Sequence, residues 1–444
     1  MNIQESLEKA RDLAEVEPDD ALRICNEVLN EDPENSVALF FIGYICLKAE
    51  RYGMAYNILR RCAEVEPDRS QIWNNMGQCI DMWNPDLAIS YYRKALECDP
   101  KNFLSIINHA CVYLKSAKPH ECVKLLDRAL KMSPDSPAAL YNKGLANLFL
   151  RNWKEGWEGY AHGLGEKNRI KRDYGVPDWD GVSPGTVVIY GEQGTGDEVM
   201  FLSCLPDLLK TNKAVIDTQE RFTTLFARSF GIPTYGDRFK NSSTLIDVEK
   251  IDFQCPMGSL PGYYRNSEDD FPGTPYLIPD PERCVQYKAL LDMFRGKKIG
   301  ISWSGGLFGT GKYKRTFSPT DFEPFFGDDV TLVSLEYKKP EIDGLPIKHW
   351  DRATLQGVPF DETIALISQL DLVITACSTV VYLAGAIGVP CYVLVPSEPG
   401  YRYHLTGGFP WYNSVKLVRQ KGGESFKRMI TRVRHMSAVK AIAA

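Results

Sequence analysis

The sequence predicts a chain of class α + α/β: an N-terminal all-α superhelix, then two α/β domains built on parallel sheets. Three observations carry this. Prolines recur at Pro33, Pro67, Pro100 and Pro134, at gaps of 34, 33 and 34 residues. From Thr186 onward, short apolar runs alternate with amphipathic stretches. Directly after the first apolar run comes Gly191-Glu-Gln-Gly-Thr-Gly-Asp197, a turn suited to handing a strand to a helix. A chain of 444 residues has room for two or three such domains.

Composition narrows the class. Hydrophobic residues make up 44% and the net charge is −5, ordinary for globular cores. The acidic balance argues against docking on duplex nucleic acid, which needs a basic stripe. The twelve cysteines contain no CxxC pair and no cysteine–histidine cluster at ligand spacing, so buried thiols are expected rather than disulfides or a metal site. The start, Met-Asn-Ile-Gln-Glu-Ser, has no basic or apolar leader region. Gly388-Val-Pro390 interrupts the longest apolar run, so no transmembrane segment is expected and a cytoplasmic location is the default.

In the first third, each periodic proline closes a helix and opens a turn beside acidic or serine residues that favour the next cap. Small residues (Gly43, Ala55, Gly77, Ala88) recur where antiparallel helices must approach, with Trp73 and Tyr113 filling gaps. This pattern resembles the tetratricopeptide repeat (TPR). It predicts a repeat domain over 1–168 with about five repeats and ten helices, the first degenerate. Asn75, Asn108 and Asn142 hold one place in three successive repeats. That place should face the concave side and could pair with an extended peptide. The row resembles the asparagine ladder of O-GlcNAc transferases, although the repeat consensus alone is the preferred account.

A turn-rich linker is expected over 169–185. The strands predicted beyond it are 186–190, 214–217, 299–303, 330–335, 372–375 and 391–395. Helices are expected at 198–210, 218–230, 319–326, 361–369 and 379–387. The alternation implies two Rossmann-like halves, 186–285 and 297–422, with a ligand cleft between them. A helix over 423–444 follows. Its apolar residues (Phe426, Met429, Ile430, Val433, Met436) keep helical spacing beside Lys427, Arg428, Arg432, Arg434 and Lys440. Packing across the two halves is preferred for it over peripheral membrane contact.

Candidate chemistry lies at the cleft. Gly194, Thr195 and Gly196 form a tight turn that brings Asp197 to a helix N-terminus, where its charge is stabilised. Such a carboxylate can act as a general base, though a plain capping aspartate accounts for the motif slightly better. Ser304, Gly305 and Gly306 leave a strand end open to a ligand. Lys312, Lys314 and Arg315, with Gly309 and Gly311, make a basic loop that suits a diphosphate. A solvated turn explains it equally well. Ser378 and Thr379 cap a helix whose free N–H groups suit a phosphate. The acidic pairs Asp269-Asp270 and Asp328-Asp329 read as solvated turns rather than metal ligands.

With these residues in hand, 180–420 resembles the heptosyltransferase-type glycosyltransferases, and the whole chain resembles proteins that fuse tetratricopeptide repeats to such a domain. The matching stretches are 191–197, 299–306, Arg315-Thr-Phe-Ser, Ser334-Leu-Glu336, 371–396, Pro399-Gly-Tyr-Arg-Tyr403 and Pro410-Trp-Tyr. The resemblance implies a GT-B arrangement and an inverting, metal-independent glycosyltransferase (EC 2.4). A nucleotide sugar would be its co-substrate, with no further cofactor. Asp197 would be the base and Arg315 would neutralise the diphosphate. Leu335, Glu336, Cys377, Ser378 and Thr379 would line the donor pocket. Its acceptor could be a protein or peptide held by the repeats. The family carries aspartate and histidine where Cys377 and Tyr382 stand, so heptose itself is not implied. Two alternatives remain: a catalytically inactive scaffold with a relic transferase fold, and, lower, a transferase acting on nucleobases.

Overall fold

The computed structural model describes residues 2–166, 169–236, 250–306 and 311–439; Gly309, Lys440 and the rest of the expected terminal helix lie outside them. Contacts divide the chain into two compact units, Met1–Asn147 and Leu148–Ala444.

The first unit is a run of antiparallel helix pairs: α1 (Ile3–Leu13), α2 (Pro18–Glu31), α3 (Ser36–Lys48), α4 (Tyr52–Val65), α5 (Ser70–Ile80), α6 (Pro85–Cys98), α7 (Phe103–Lys115) and α8 (Pro119–Met132), ending in α9 (Pro137–Phe149). The periodic prolines Pro33, Pro67, Pro100 and Pro134 each fall just past a helix end. The small residues act as the spacing requires. A Cβ on Gly43 would stand 2.6 Å from Leu59 Cγ, and one on Gly77 would stand 2.8 Å from the Tyr92 ring. Bonds then step from repeat to repeat: Tyr56 and Tyr91 hydroxyls at 2.7 Å, Asn108 Nδ2 to Asn74 Oδ1 at 3.0 Å, Lys115 to Asp81 at 2.8 Å.

The division by contacts lies at 147/148, within α9, so α10 (Trp153–Ala161), the last helix expected of the repeat domain, falls in the second unit. The reason lies in its aromatics. Trp153 packs on Phe271 and His404, Trp157 on Phe201 and Trp411, and Tyr160 on Phe201 and Tyr401. Its Gly156 still faces α9, where an added Cβ would stand 2.6 Å from Leu148 Cδ2.

The second unit holds two sheets. The first lobe contains β1 (Thr186–Tyr190), α11 (Thr195–Phe201), α12 (Leu205–Leu208), β2 (Lys213–Asp217), α13 (Thr223–Phe230), β3 (Thr234–Tyr235), β4 (Phe253–Pro256), α14 (Leu260–Tyr264) and α15 (Pro281–Asp292). Its four parallel strands run in the order β3-β2-β1-β4, Tyr190 pairing with Asp217 and Pro256. The second lobe contains β5 (Lys297–Ser302), β6 (Val330–Ser334), β7 (Ile347–Lys348), α16 (Asp351–Thr354), α17 (Phe360–Ile367), β8 (Leu372–Ala376), α18 (Thr379–Ala386), β9 (Cys391–Val395), β10 (Val415–Arg419) and α19 (Phe426–Val439). Its six parallel strands run β10-β9-β8-β5-β6-β7. The stretch expected as helix 319–326 is a 3₁₀ turn with Pro324 inside it, since proline removes an α-helical donor.

The terminal helix departs from expectation. Met429, Ile430 and Val433 are fully buried in the core of the second lobe, with Ile299, Phe322 and Leu394. Phe426 stacks on Phe317, and Lys427 and Arg434 pair with Glu323 and Asp329. The helix therefore packs on the second lobe, which covers Met429, Ile430 and Val433 of its apolar face while Met436 stays exposed.

Candidate functional site

In an open parallel sheet, ligands sit beyond the carboxyl ends of the strands where the chain reverses its direction of growth. In the second lobe that point lies between β5 and β8, paired from Ile299–Leu372 to Ser302–Thr375. The chain leaves β5 into 303–306 and β8 into 377–379, so two of the sequence-predicted segments meet there. A Cβ on Gly305 would lie 2.7 Å from the Cys377 carbonyl oxygen, an approach that only glycine permits. Gly306 follows at φ +75°.

Glu336, just past β6, is buried and holds this turn in shape. One carboxylate oxygen accepts from Ser302 Oγ (2.9 Å) and from the backbone N–H groups of Trp303 (2.7 Å) and Ser304 (2.9 Å); the other accepts from Ser304 Oγ. Four donors thus converge on it, and it shapes the turn. Leu335 is buried beneath it, where a Cβ on Gly300 would meet it at 2.7 Å. Ser378 caps α18, accepting from Val380 N at 3.3 Å. Arg315 reaches in from its loop and donates to the Cys377 carbonyl at 3.3 Å. Burial pushes the Cys377 thiol up to about 12 despite nearby Arg315, and it lies 3.7 Å from the Leu394 carbonyl. It is a neutral core thiol and supplies no charge in place of a carboxylate. Lys314 turns away to pair with Glu398, and the Lys312 carbonyl accepts from Thr316 Oγ1 at 2.9 Å.

The first lobe brings its turn to the same place. Gly194 is the N-cap of α11, Gln219 Nε2 donates to Thr195 Oγ1 at 3.3 Å, and Asp197 Oδ2 accepts from Gly194 N at 3.2 Å. A Cβ on Gly196 would stand 2.9 Å from the Tyr382 ring and 3.4 Å from Thr379 Oγ1. The missing side chain thus lets α11 meet α18 of the other lobe. Asp197 Oδ1 is ion-paired with Arg402 of the second lobe; the two side chains remain 19% and 26% exposed. Burial would lower the Arg402 guanidinium, but the Asp197 carboxylate, joined by Tyr401, Tyr382 and Tyr160, holds it well above its ordinary range. The Tyr401 ring lies 4.5 Å beneath it.

Arg402 sits on a segment fixed by two other arginines. Arg419, at the end of β10, donates to the carbonyls of Tyr403 (2.7 Å), His404 (2.8 Å), Thr406 and Gly407 (3.2 Å each). Arg151 donates to Thr406 (3.2 Å) and Gly408 (2.5 Å) and pairs with Glu268. His404 is held at φ +52°, ψ 174°, a conformation that a non-glycine residue keeps only when its surroundings over-determine it. Its Nδ1 lies 3.1 Å from the Leu148 carbonyl, and burial lowers its pKa to about 3.

Behind α11, the turn rests on buried charge. Arg169 is wholly enclosed. It pairs with Glu192 (3.3 Å), donates to the Tyr160 carbonyl (2.7 Å) and Ser259 Oγ (3.3 Å), and covers the Tyr160 ring. Glu192 also accepts from Gln193 Nε2 (2.8 Å) and Gly258 N (3.1 Å); burial nonetheless raises its pKa. The lobes are further tied by Arg228 and Thr224 to Asp361, and by Phe222 stacked on Phe360 at 4.2 Å.

The three repeat asparagines belong to the first unit, and their environments differ. Asn75 is buried and accepts from Asn74 (3.1 Å), Asn108 donates to Asn74, and Asn142 donates to the Ala138 carbonyl (2.8 Å). Asn74, which the spacing did not single out, is the junction. Arg402, Arg419 and Arg169 also went unassigned. Arg402 was visible only as part of the Pro399–Tyr403 motif. A cavity of about 450 Å³ lies elsewhere in the second unit, lined by Asp207, Phe230, Arg265, Phe271, Tyr276 and Trp411 among others. Among the described residues, no group of three or more His, Cys, Asp or Glu could hold a metal, and no helix is long and apolar enough to cross a membrane. All twelve cysteines are free thiols.

No family model matches the chain. It is similar to protein FlbA of Caulobacter vibrioides, 26% identical over 399 residues, covering 82% of this chain and 66% of FlbA. It is also similar to the tetratricopeptide repeat-containing protein trd-1 of Caenorhabditis elegans, 25% identical over 143 residues, covering 32% of this chain and 18% of trd-1. The chain thus spans less than two thirds of either relative's own length. Among solved structures, similarity extends to MamA (18% identical, 33% of this chain and 86% of that one, TM-score 0.31). It extends also to YrrB, a TPR protein with an unusual peptide-binding site (16%, 36% and 84%, TM-score 0.31), and to PilF of Pseudomonas aeruginosa (14%, 37% and 78%, TM-score 0.34). The N-terminal unit is a TPR-like helical array, followed by a parallel-sheet α/β region.

Proposed function

We propose that the chain is a glycosyltransferase with two Rossmann-like lobes in a GT-B arrangement, moving a sugar from a nucleotide sugar to an acceptor hydroxyl. The observation that carries this reading is one juxtaposition. Asp197, on a helix start of the first lobe, stands against the second lobe where the N-terminus of α18, Arg315 and Arg402 gather positive charge. In the proposed reaction the acceptor oxygen bonds to the anomeric carbon from the face opposite the diphosphate, which inverts that centre. The bond to the diphosphate breaks and its electron pair leaves with the phosphate. Asp197 takes the hydroxyl proton. Arg315 and the positive dipole end of α18 meet the growing charge on the leaving group. The strand order of the second lobe supports a nucleotide at β5/β8. The repeat array is proposed to dock a protein or peptide acceptor.

The test is nucleotide release from a panel of UDP-, GDP-, CMP- and ADP-sugars. The expected result is turnover of one donor, reduced by about 10²- to 10⁴-fold in Asp197→Asn. Equal rates for wild type and variant would overturn the catalytic role of Asp197. One observation favours the second reading, a non-catalytic scaffold: the Asp197 carboxylate is already occupied by Arg402. Nucleotide binding with no turnover of any donor would decide for it.

A further inference from the structure

The Asp197–Arg402 pair joins two lobes, and it is made by the side chain proposed to accept a proton. A carboxylate engaged by a guanidinium is a poor base, because deprotonating the acceptor would compete with a charge-assisted hydrogen bond. Arg402 is also only partly used. One terminal nitrogen meets Asp197, while its Nε is buried and has no hydrogen-bond partner among the described residues. Its backbone cannot readily follow a ligand, since Arg419 and Arg151 hold the carbonyls from Tyr403 to Gly408. The side chain can, because both it and Asp197 keep some exposure. A diphosphate carries more charge than one carboxylate, and a guanidinium fork matches two phosphate oxygens. Asp197 lies one residue from Gly196, which abuts Thr379 at the start of α18. A phosphate on that helix start would therefore lie beside Arg402.

We propose that Arg402 is a ligand of the leaving diphosphate, exchanging Asp197 for it, so that donor binding releases the base. The inference rests on the transferase reading and adds an order to it: nucleotide sugar first, acceptor second. Donor without acceptor is held by Arg315, Arg402 and α18. Acceptor without donor meets a base that is still paired.

The test is calorimetric titration of the full chain with UDP, GDP, CDP and ADP. One of these binds wild type. Arg402→Gln weakens that nucleotide about 10- to 100-fold, the range of one or two lost charge-assisted bonds. Arg402→Lys, which keeps the charge without the fork, falls between; thermal unfolding confirms that both variants are folded. Asp197→Asn frees Arg402 and tightens the nucleotide several-fold, and this gain disappears in the Arg402→Gln background. Wild-type affinity in Arg402→Gln overturns the proposal. So does an equal gain from Asp197→Asn in both backgrounds, which would mean simple repulsion between carboxylate and phosphate. In either case the transferase reading stands if a donor still turns over. If no nucleotide binds wild type, that reading falls and takes the inference with it.

Discussion

Replacing Arg169 by methionine gives the sharpest test of how the second unit holds its glycine turn. The Arg169 and Glu192 side chains are 0% and 1% exposed, so no water replaces the guanidinium when it is removed. Glu192 keeps two amide donors, from Gln193 and Gly258, but loses its counter-charge, and the Tyr160 carbonyl loses a 2.7 Å bond. Breaking a buried pair on one side costs about 3–5 kcal/mol. Protonation of Glu192 limits this. Burial already raises its folded pKa above the ordinary value, so between those two values the folded state binds more protons than the unfolded chain. Stability therefore falls as pH rises through that window. Without Arg169 the folded pKa moves higher and the window widens. The loss in Arg169→Met should be larger near about pH 7 than near about pH 5, by up to ~1.4 kcal/mol per pH unit. Urea unfolding followed by tryptophan fluorescence reads it, since Trp153 and Trp157 lie on α10 beside this pair. Adding Glu192→Leu should restore part of the loss by removing the unpaired carboxylate. A loss below about 1 kcal/mol with no pH dependence would refute the reasoning.

Two further outcomes follow from the second lobe. Glu336→Ala leaves the Trp303 and Ser304 amides without their acceptor; hydrogen exchange at both should speed up, with a stability loss of roughly 2–4 kcal/mol, and unchanged protection would show that the turn holds itself. His404, with a pKa lowered to about 3 by burial, is charged in the unfolded chain well before the folded one. Stability should thus drop as pH falls from about 6.5 toward 3, and the drop should be shallower in His404→Asn in a series of urea midpoints.

The elements were legible where a local rule is sufficient. The proline period and the Gly43 and Gly77 approaches located the helix pairs, because both are fixed by contacts within 34 residues. The strands at 186–190, 330–334 and 391–395 stood out as short apolar runs. β4 and β10 did not, because Phe253–Pro256 includes a proline and a glutamine and Val415–Arg419 alternates with charge. The switch-point turns at 303–306 and 377–379 were legible because glycines and caps mark them. What could not be read was any pairing set by the assembled fold. Nothing around Arg402 distinguishes it from other arginines until β9 and β10 bring its segment opposite α11. Likewise Arg169 stands in a turn-rich linker and becomes enclosed only when α10 brings Tyr160 against it and the turn after β1 brings Glu192.

Burial separates the charged pairs of this unit by kind. Arg169–Glu192 is fully enclosed, and in Arg172–Asp217 the carboxylate is fully buried. Such a pair cannot change partners without opening the core, so its work is to fix the turn after β1 and the strand beside it. Arg402–Asp197 is different in the one respect that matters for chemistry. Its partners come from opposite lobes, each about a fifth to a quarter exposed, and each hangs from backbone held independently, by the α11 cap on one side and by Arg419 on the other. A ligand can therefore compete for either member without disturbing what supports it. The same geometry that makes this pair a modest contributor to stability leaves it able to exchange a protein anion for a bound one.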